Sequence, residues 1–212
     1  MVGANDGRIN DPIYSLIAEH LSDEVLLTLI EPNSALNSEL AKNYEMVANK
    51  RTLNACIGPE GNVEIHKVRE EFWDRCQPTY AAAWPNYRAP TGVTSTDRDF
   101  VERWVTRCGV EDAHAAITSE EVPSDTLPSL LAKAAAPSVV DVLQIDAEGA
   151  DDIVLFNSAI EATKPNLIYF ETEHLGEDRR KAVLQYLTEH GYLTMALGAN
   201  SLAVRSITTS KV

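Results

Sequence analysis

Val2-Gly3-Ala4-Asn5-Asp6-Gly7 stands at the head of the chain, and Leu26-Leu27-Thr28-Leu29-Ile30-Glu31-Pro32 follows one helix-length segment later. The second stretch is a short, continuous apolar run of the kind found in parallel strands covered on both faces. In the first, glycines stand where a strand would turn toward a helix, and glycine there lets the backbone approach a ligand closely. Between the two, Asp11-Pro12 precedes Ile13-Tyr14-Ser15-Leu16-Ile17-Ala18, an Asp cap with Pro at the first helical position. A glycine turn, a helix, a strand and an acidic strand end, in that order, predict an α/β sheet that binds a nucleoside-type ligand.

The glycine turn lacks the G-x-G-x-x-G spacing that cradles a pyrophosphate. Asp6 inside the turn would repel such a group and attract an ammonium. Glu31, at the end of the second strand, stands where an acidic side chain accepts hydrogen bonds from both ribose hydroxyls. Taken singly, each feature also reads as an ordinary turn or an ordinary strand-end glutamate. Together they point to an adenosine carrying an amino-acid group and no diphosphate, as in S-adenosylmethionine. A nicotinamide-dependent oxidoreductase is disfavoured on the same ground.

Working outward, strand and helix signals alternate. Asn33-Ser34 caps a helix through roughly Lys42. A third strand is expected around Thr52 to Ile57, and Gly58-Pro59-Glu60-Gly61 turns the chain into a strand from Asn62 to Val68. Val139 to Ile145 is the strongest buried-strand signal and ends at Asp146-Ala147-Glu148-Gly149, with a helix through about Ile160 after it. Asn166 to Phe170 is the next strand, ending at Glu171-Thr172-Glu173-His174. The helix from about Glu177 to His190 closes at Gly191, and Tyr192 to Ile207 reads as two strands around Gly198-Ala199-Asn200-Ser201.

One stretch breaks this rhythm. Between Phe72 and Trp104 lie seven of the 14 aromatic residues, including Trp73, Trp84 and Trp104. Thr96 with Asp99 resembles a capping box, and Phe100, Val101, Trp104, Val105 and Cys108 share one helical face. The expected organisation is a single domain over residues 1–212 with an inserted cap-like segment over about 69–110. The rings read equally as that segment's own small core, as a contact between copies of the chain, or as a cap over a substrate pocket.

In a doubly wound sheet, Asp146 and Glu148 lie at the carboxyl end of one strand. Glu171, Glu173 and His174 lie at the end of its neighbour, the edge at which ligands bind. Strand alternation places Glu171 and Glu173 on one face and His174 on the other. Such a cluster can accept the proton of a hydroxyl group or hold a hard divalent ion. The second reading is the weaker, because no closely spaced ligand motif exists, and no metal is expected. The other histidines, His20, His66, His114 and His190, have no plausible partner nearby in sequence. Arg75, Arg88, Arg98, Arg103 and Arg107 hint at an anionic acceptor, although solvated arginines are the commoner explanation.

Bulk properties narrow the classes. Acidic residues outnumber basic ones 32 to 18, for a formal charge of −14, which excludes broad electrostatic binding of nucleic acid or anionic lipid. Cys56, Cys76 and Cys108 are widely spaced and form no C-x-x-C pair, so a reduced, cytoplasmic setting is expected. There is neither an apolar run long enough to span a bilayer nor a signal-peptide pattern.

These residues resemble the FkbM-type methyltransferases. The likeness is carried by Val2-Gly3-Ala4-Asn5-Asp6-Gly7, Asp11-Pro12, Ile30-Glu31-Pro32 and Asn54-Ala55-Cys56-Ile57-Gly58. It continues through Thr91-Gly92-Val93-Thr94-Ser95, Val122-Pro123, Thr126-Leu127 and, most specifically, Ile145-Asp146-Ala147-Glu148-Gly149-Ala150. The resemblance implies a class I methyltransferase (Rossmann-like) fold, with a doubly wound, mostly parallel sheet, a C-terminal antiparallel hairpin and an aromatic-rich insertion. It further implies S-adenosylmethionine as donor and a hydroxyl on a small-molecule or glycan acceptor, typically a sugar or secondary metabolite. Carried over, Gly3, Asn5, Asp6 and Gly7 line the methionine end, Glu31 holds the ribose, and Ala55, Cys56 and Ile57 border the adenine. Asp146, which would also touch the donor, and Glu148 face the transfer region, with His174 as a further candidate base. The family pattern has several strand residues before the glycine turn where this chain has Met1 and Val2, so either the sequence is trimmed at its start or another segment completes the sheet. The rival reading is a non-catalytic interaction domain on the same fold.

Overall fold

The computed structural model describes residues 1–206, and Ile207, expected at the end of the last strand, lies outside them. Asp11 Oδ1 accepts from the amides of Ile13 and Tyr14 and starts α1 (Tyr14–Leu16), which widens into a π turn over Ile17–Leu21. Then come β1 (Leu27–Ile30), a 3-10 turn capped by Asn33, α2 (Asn37–Asn43), β2 (Lys50–Leu53), β3 (Cys56–Ile57) and β4 (Gly61–Val68). Two 3-10 turns, α3 (Arg88–Thr91) and α4 (Arg98–Arg107) lead to β5 (Ile117–Asp125) and α5 (Leu127–Lys133). The remainder is β6 (Val142–Ile145), α6 (Asp151–Phe156), α7 (Ile160–Thr163), β7 (Leu167–Glu171), α8 (Glu177–Glu189), β8 (Tyr192–Leu197) and β9 (Asn200–Arg205).

The fold is mixed α/β. β1 pairs parallel with β2, and β6 pairs parallel with β7. β9 runs antiparallel to both β7 and β8. Val2 joins the two groups, bridging in parallel to Ile30 on one side and Ile145 on the other. Its N–H donates to the Gln144 carbonyl at 2.8 Å and its carbonyl accepts from the Asp146 N–H at 3.0 Å. Met1 to Gly3 thus occupy the gap between β1 and β6, and among the described residues no other segment pairs there.

The central strands of this sheet are covered on both faces, which is why they are apolar runs, while β8 at its edge is exposed beyond Tyr192. Leu27 and Leu29 pack with Leu40, Tyr44 and Val47 on one side. Ile30, Ile145, Ile168 and Phe170 pack with Leu130, Leu155, Val183 and Leu187 on the other. A second sheet is ordered β3-β5-β4, and residues 69–110 lie between its β4 and β5.

Several local expectations are corrected. The stretch expected as one strand from Thr52 to Ile57 is divided between two sheets, because Asn54 leaves the ladder and donates from its side-chain amide to the carbonyls of Glu31 and Pro32. The helix expected through about Ile160 ends at Phe156, and Ala159, whose φ of 44° is left-handed, precedes the separate α7. The start of α4 is capped by Asp97, which accepts from the amides of Asp99 and Phe100, not by Thr96. The aromatic rings of the insertion do not form one cluster. Trp73 pairs with Tyr87 and Tyr80 with Trp84, Phe100 meets His174 outside the segment, and Phe72 and Trp104 pack on the aliphatic core. The buried centre there is mainly aliphatic, with Val68, Val93, Val101, Val105 and Ile117.

Candidate functional site

The glycine turn is built against the end of β6. At Gly3, φ is +68°, and a Cβ would sit 1.7 Å from the Asp146 carbonyl oxygen, so only glycine permits this approach. Asn5, also left-handed at φ 48°, donates its N–H to Glu31 Oε2 at 2.7 Å, while Glu31 Oε1 accepts from the Asn33 N–H at 2.7 Å. Each carboxylate oxygen has a lone pair left. Glu31 is 4% exposed, and desolvation pushes its pKa up to about 7 against the pull of those two amides.

Gly3, Asn5, Glu31, Ala55, Cys56, Ile57, Asp146 and Glu148 line one cavity of about 340 Å³. Asp6 and Gly7 lie behind its wall. Asp6 Oδ1 accepts from the amides of Arg8 and Ile9, and its Oδ2 accepts from the Tyr87 hydroxyl at 3.2 Å. Gly7 abuts Tyr44 and Leu40. Asp6 therefore shapes the turn from within. Burial and the nearby Glu31 push the Cys56 thiol up to about 12, so it is a neutral wall group and no nucleophile.

A larger cavity of about 980 Å³ lies across the same strand ends, lined by His174, Glu171, Trp84, Trp104 and several arginines. Asp146 and Glu148 line both cavities. Glu148 is held at a left-handed φ of 47°, and the Ser95 hydroxyl donates to its carbonyl at 3.1 Å. The strained backbone thus turns the residue into the junction.

His174 falls beside Glu171 and not opposite it. β7 stops at Glu171, and Thr172 and Glu173 donate to the Ala199 carbonyl, so alternation ends and the chain folds back. His174 Nε2 lies 3.8 Å from Glu171 Oε2 and 3.9 Å from Glu148 Oε2, with Phe100 packed edge-on at 5.0 Å. Donor atoms of Glu148, Glu171 and His174 lie within 4.8 Å of one another. This arrangement was invisible in the sequence spacing.

Two buried residues escaped the sequence reading. Asp151, 1% exposed, accepts from the amides of Glu171 and Ala147 and so ties the ends of β6 and β7 together. Arg88, grouped above with the solvated arginines, is buried on α3. It donates to the Ile9 carbonyl at 2.8 Å, lies 3.5 Å from Asp6 and sits over the Trp84 ring. Its charge favours ionisation of Glu31, Asp146 and Glu148. Only the apolar Ala89-Pro90 beside it signals burial in the sequence.

Burial, followed by mutual repulsion, raises the carboxyls at the junction. Glu171 is pushed up to about 8 and Asp151 to about 7, while Asp146 is raised and Glu148 raised further. The folded chain therefore binds protons that the unfolded chain has released. This contribution is complete below the ordinary carboxylate range and is lost as pH rises through about 7 and 8. Thermal unfolding is expected roughly 5–10 °C lower at pH 9 than at pH 6, since a chain of this size shifts a few degrees per kcal/mol. Glu171→Gln should flatten that slope; an unchanged slope in the variant would contradict the assignment.

The model of the methyltransferase FkbM domain matches residues 2–194. The chain belongs to the FkbM methyltransferase family. It is therefore a methyltransferase, and S-adenosylmethionine is the donor that such a family uses in general. No curated protein and no solved structure matches it. Among the described residues of this FkbM domain, no helix is long and apolar enough to cross a membrane.

Proposed function

We propose that this FkbM domain transfers a methyl group from S-adenosylmethionine to a hydroxyl oxygen of a sugar or small metabolite. We also read its sheet as the doubly wound, mostly parallel class I sheet, with residues 69–110 as a cap over the acceptor. One observation carries the proposal: Asp146 and Glu148 stand at the meeting point of two cavities, one of which holds the glycine turn and Glu31.

The smaller cavity fits the donor chemically. The buried Glu31 carboxylate suits two ribose hydroxyls, Ala55 and Ile57 offer apolar cover for a base, and Gly3 and Asn5 bring backbone close to the amino-acid end. When bound, S-adenosylmethionine supplies an electrophilic methyl carbon on a sulfonium. The protein's contribution is then largely alignment, with the acceptor oxygen held in line by the walls of the larger cavity. His174 Nε2 takes the hydroxyl proton. Glu148 and Glu171 lie 3.9 and 3.8 Å from that nitrogen; the imidazolium that forms offsets the burial that disfavours their ionised forms, and their carboxylates in turn stabilise it. Free thiols at Cys56, Cys76 and Cys108 support a reduced, cytoplasmic setting.

Calorimetric titration with S-adenosylhomocysteine tests the donor site. Saturable binding is expected for the wild type, and Glu31→Gln should weaken it by about 10- to 100-fold, the worth of charged hydrogen bonds. Equal affinity in a folded variant would remove Glu31 from the site.

A further inference from the structure

Five arginines reach the larger cavity from residues 69–110 and α8, in a chain whose net charge is −14. Three already have carboxylate partners, and one of them, Arg88, lies 3.5 Å from Asp6. Arg103 lies 3.7 Å from Asp97, and Arg179 binds Asp152 through both nitrogens of its fork. Among the described residues, Arg75 and Arg107 have no carboxylate within 4 Å. The Arg75 guanidinium carbon lies 5.5 Å from the centre of the Phe72 ring, a stacking that leaves its in-plane N–H donors free to face a ligand.

These two arginines belong to the same part of the wall. Both line the same cavity, and each immediately precedes a cysteine, Cys76 and Cys108, that packs in the one buried aliphatic cluster behind it. Arg107 is also one helical turn from Trp104, which lines the cavity together with Trp84. The cavity is therefore polarised. One wall has paired guanidinium forks and indole faces; the other has Glu148, Glu171 and His174.

We propose, resting on the methyl-transfer reading, that the acceptor is a hydroxyl-bearing ring with a carboxylate or phosphate substituent, its anion held by Arg75 and Arg107 and its hydroxyl directed to His174. The chemistry of the walls requires this polarity. Planar guanidinium forks match carboxylate and phosphate oxygens in bidentate fashion, and indole faces suit the apolar side of a ring. An anion at the opposite wall would meet the carboxyl groups of Glu148 and Glu171. A cavity of about 980 Å³ accommodates an acceptor as large as a substituted monosaccharide or disaccharide. The long-range field of the chain repels anions, so the two arginines supply a local exception and with it selectivity.

The test uses glucuronate, glucose 6-phosphate and glucose as probes, titrated by NMR with and without saturating S-adenosylhomocysteine. Wild type is expected to bind one or both anionic probes at least tenfold more tightly than glucose. A double variant, Arg75→Ala with Arg107→Ala, should lose that preference and keep its fold, since both side chains are exposed. Binding of one anion but not the other identifies carboxylate or phosphate as the group read. No preference for either anion, or a preference retained in the double variant, overturns the proposal. Absence of S-adenosylhomocysteine binding by folded protein would instead count against the methyl-transfer reading, because the anion preference is measured without it as well.

Discussion

Replacement of His174 by alanine is expected to lower methyl-transfer turnover by about 10²- to 10⁴-fold, the usual worth of a positioned base. S-adenosylhomocysteine affinity should barely change, because His174 lines the larger cavity and not the smaller one. The loss should fall on kcat, as for a group acting in the transition state. Glu148→Gln and Glu171→Gln should have smaller effects and shift the pH profile of kcat, since these side chains act through the imidazole 3.8–3.9 Å away. A metal held by the same three donors would behave differently: chelation would abolish turnover and an added divalent ion would restore it. Full activity in His174→Ala, or that metal-dependent behaviour, would sink the assignment of His174 as the base.

Gly3→Ala should be the most damaging small substitution in the chain. The added carbon would lie 1.7 Å from the Asp146 carbonyl oxygen and 2.7 Å from its carbon, both rigid backbone atoms, at a φ of +68°. Relief would require separating the glycine turn from β6 and breaking the Val2 ladder that joins the two halves of the sheet. A loss of about 4 kcal/mol or more is expected, the range of severe backbone and packing defects, with little soluble protein recovered. Gly109→Ala is the matched control. Its φ is +81°, but nothing lies within 4 Å, so it should cost only the left-handed penalty of about 1–2 kcal/mol. Similar melting temperatures for the two variants would show that close approach at Gly3 is not what requires glycine.

What could be read from the sequence was whatever depends on neighbours along the chain. Leu26 to Ile30 and Val139 to Ile145 announce strands because a parallel strand is covered on both faces, although the second begins only at Val142 and is buried from Leu143 on. β5 was missed because Glu120, Glu121 and Pro123 lower its strand signal. Its pairing along the whole of β4 is a long-range fact. The break at Asn54 was hidden for the same reason, since its side chain serves carbonyls more than 20 residues away.

The candidate site divides along the same line. Sequence alone determined the family, the glycine turn, Glu31 at a strand end and the carboxylates after β6, because motif order and local chemistry are properties of the chain itself. Tertiary structure alone decided that Asp6 turns inward to its own loop, that Arg88 is buried among acids, and that His174 meets Glu148 and Glu171. Those outcomes depend on which backbone ends face each other across the sheet. Burial then sets how strongly each charge is felt, and desolvation is a property of the packed interior, which no local stretch of residues encodes.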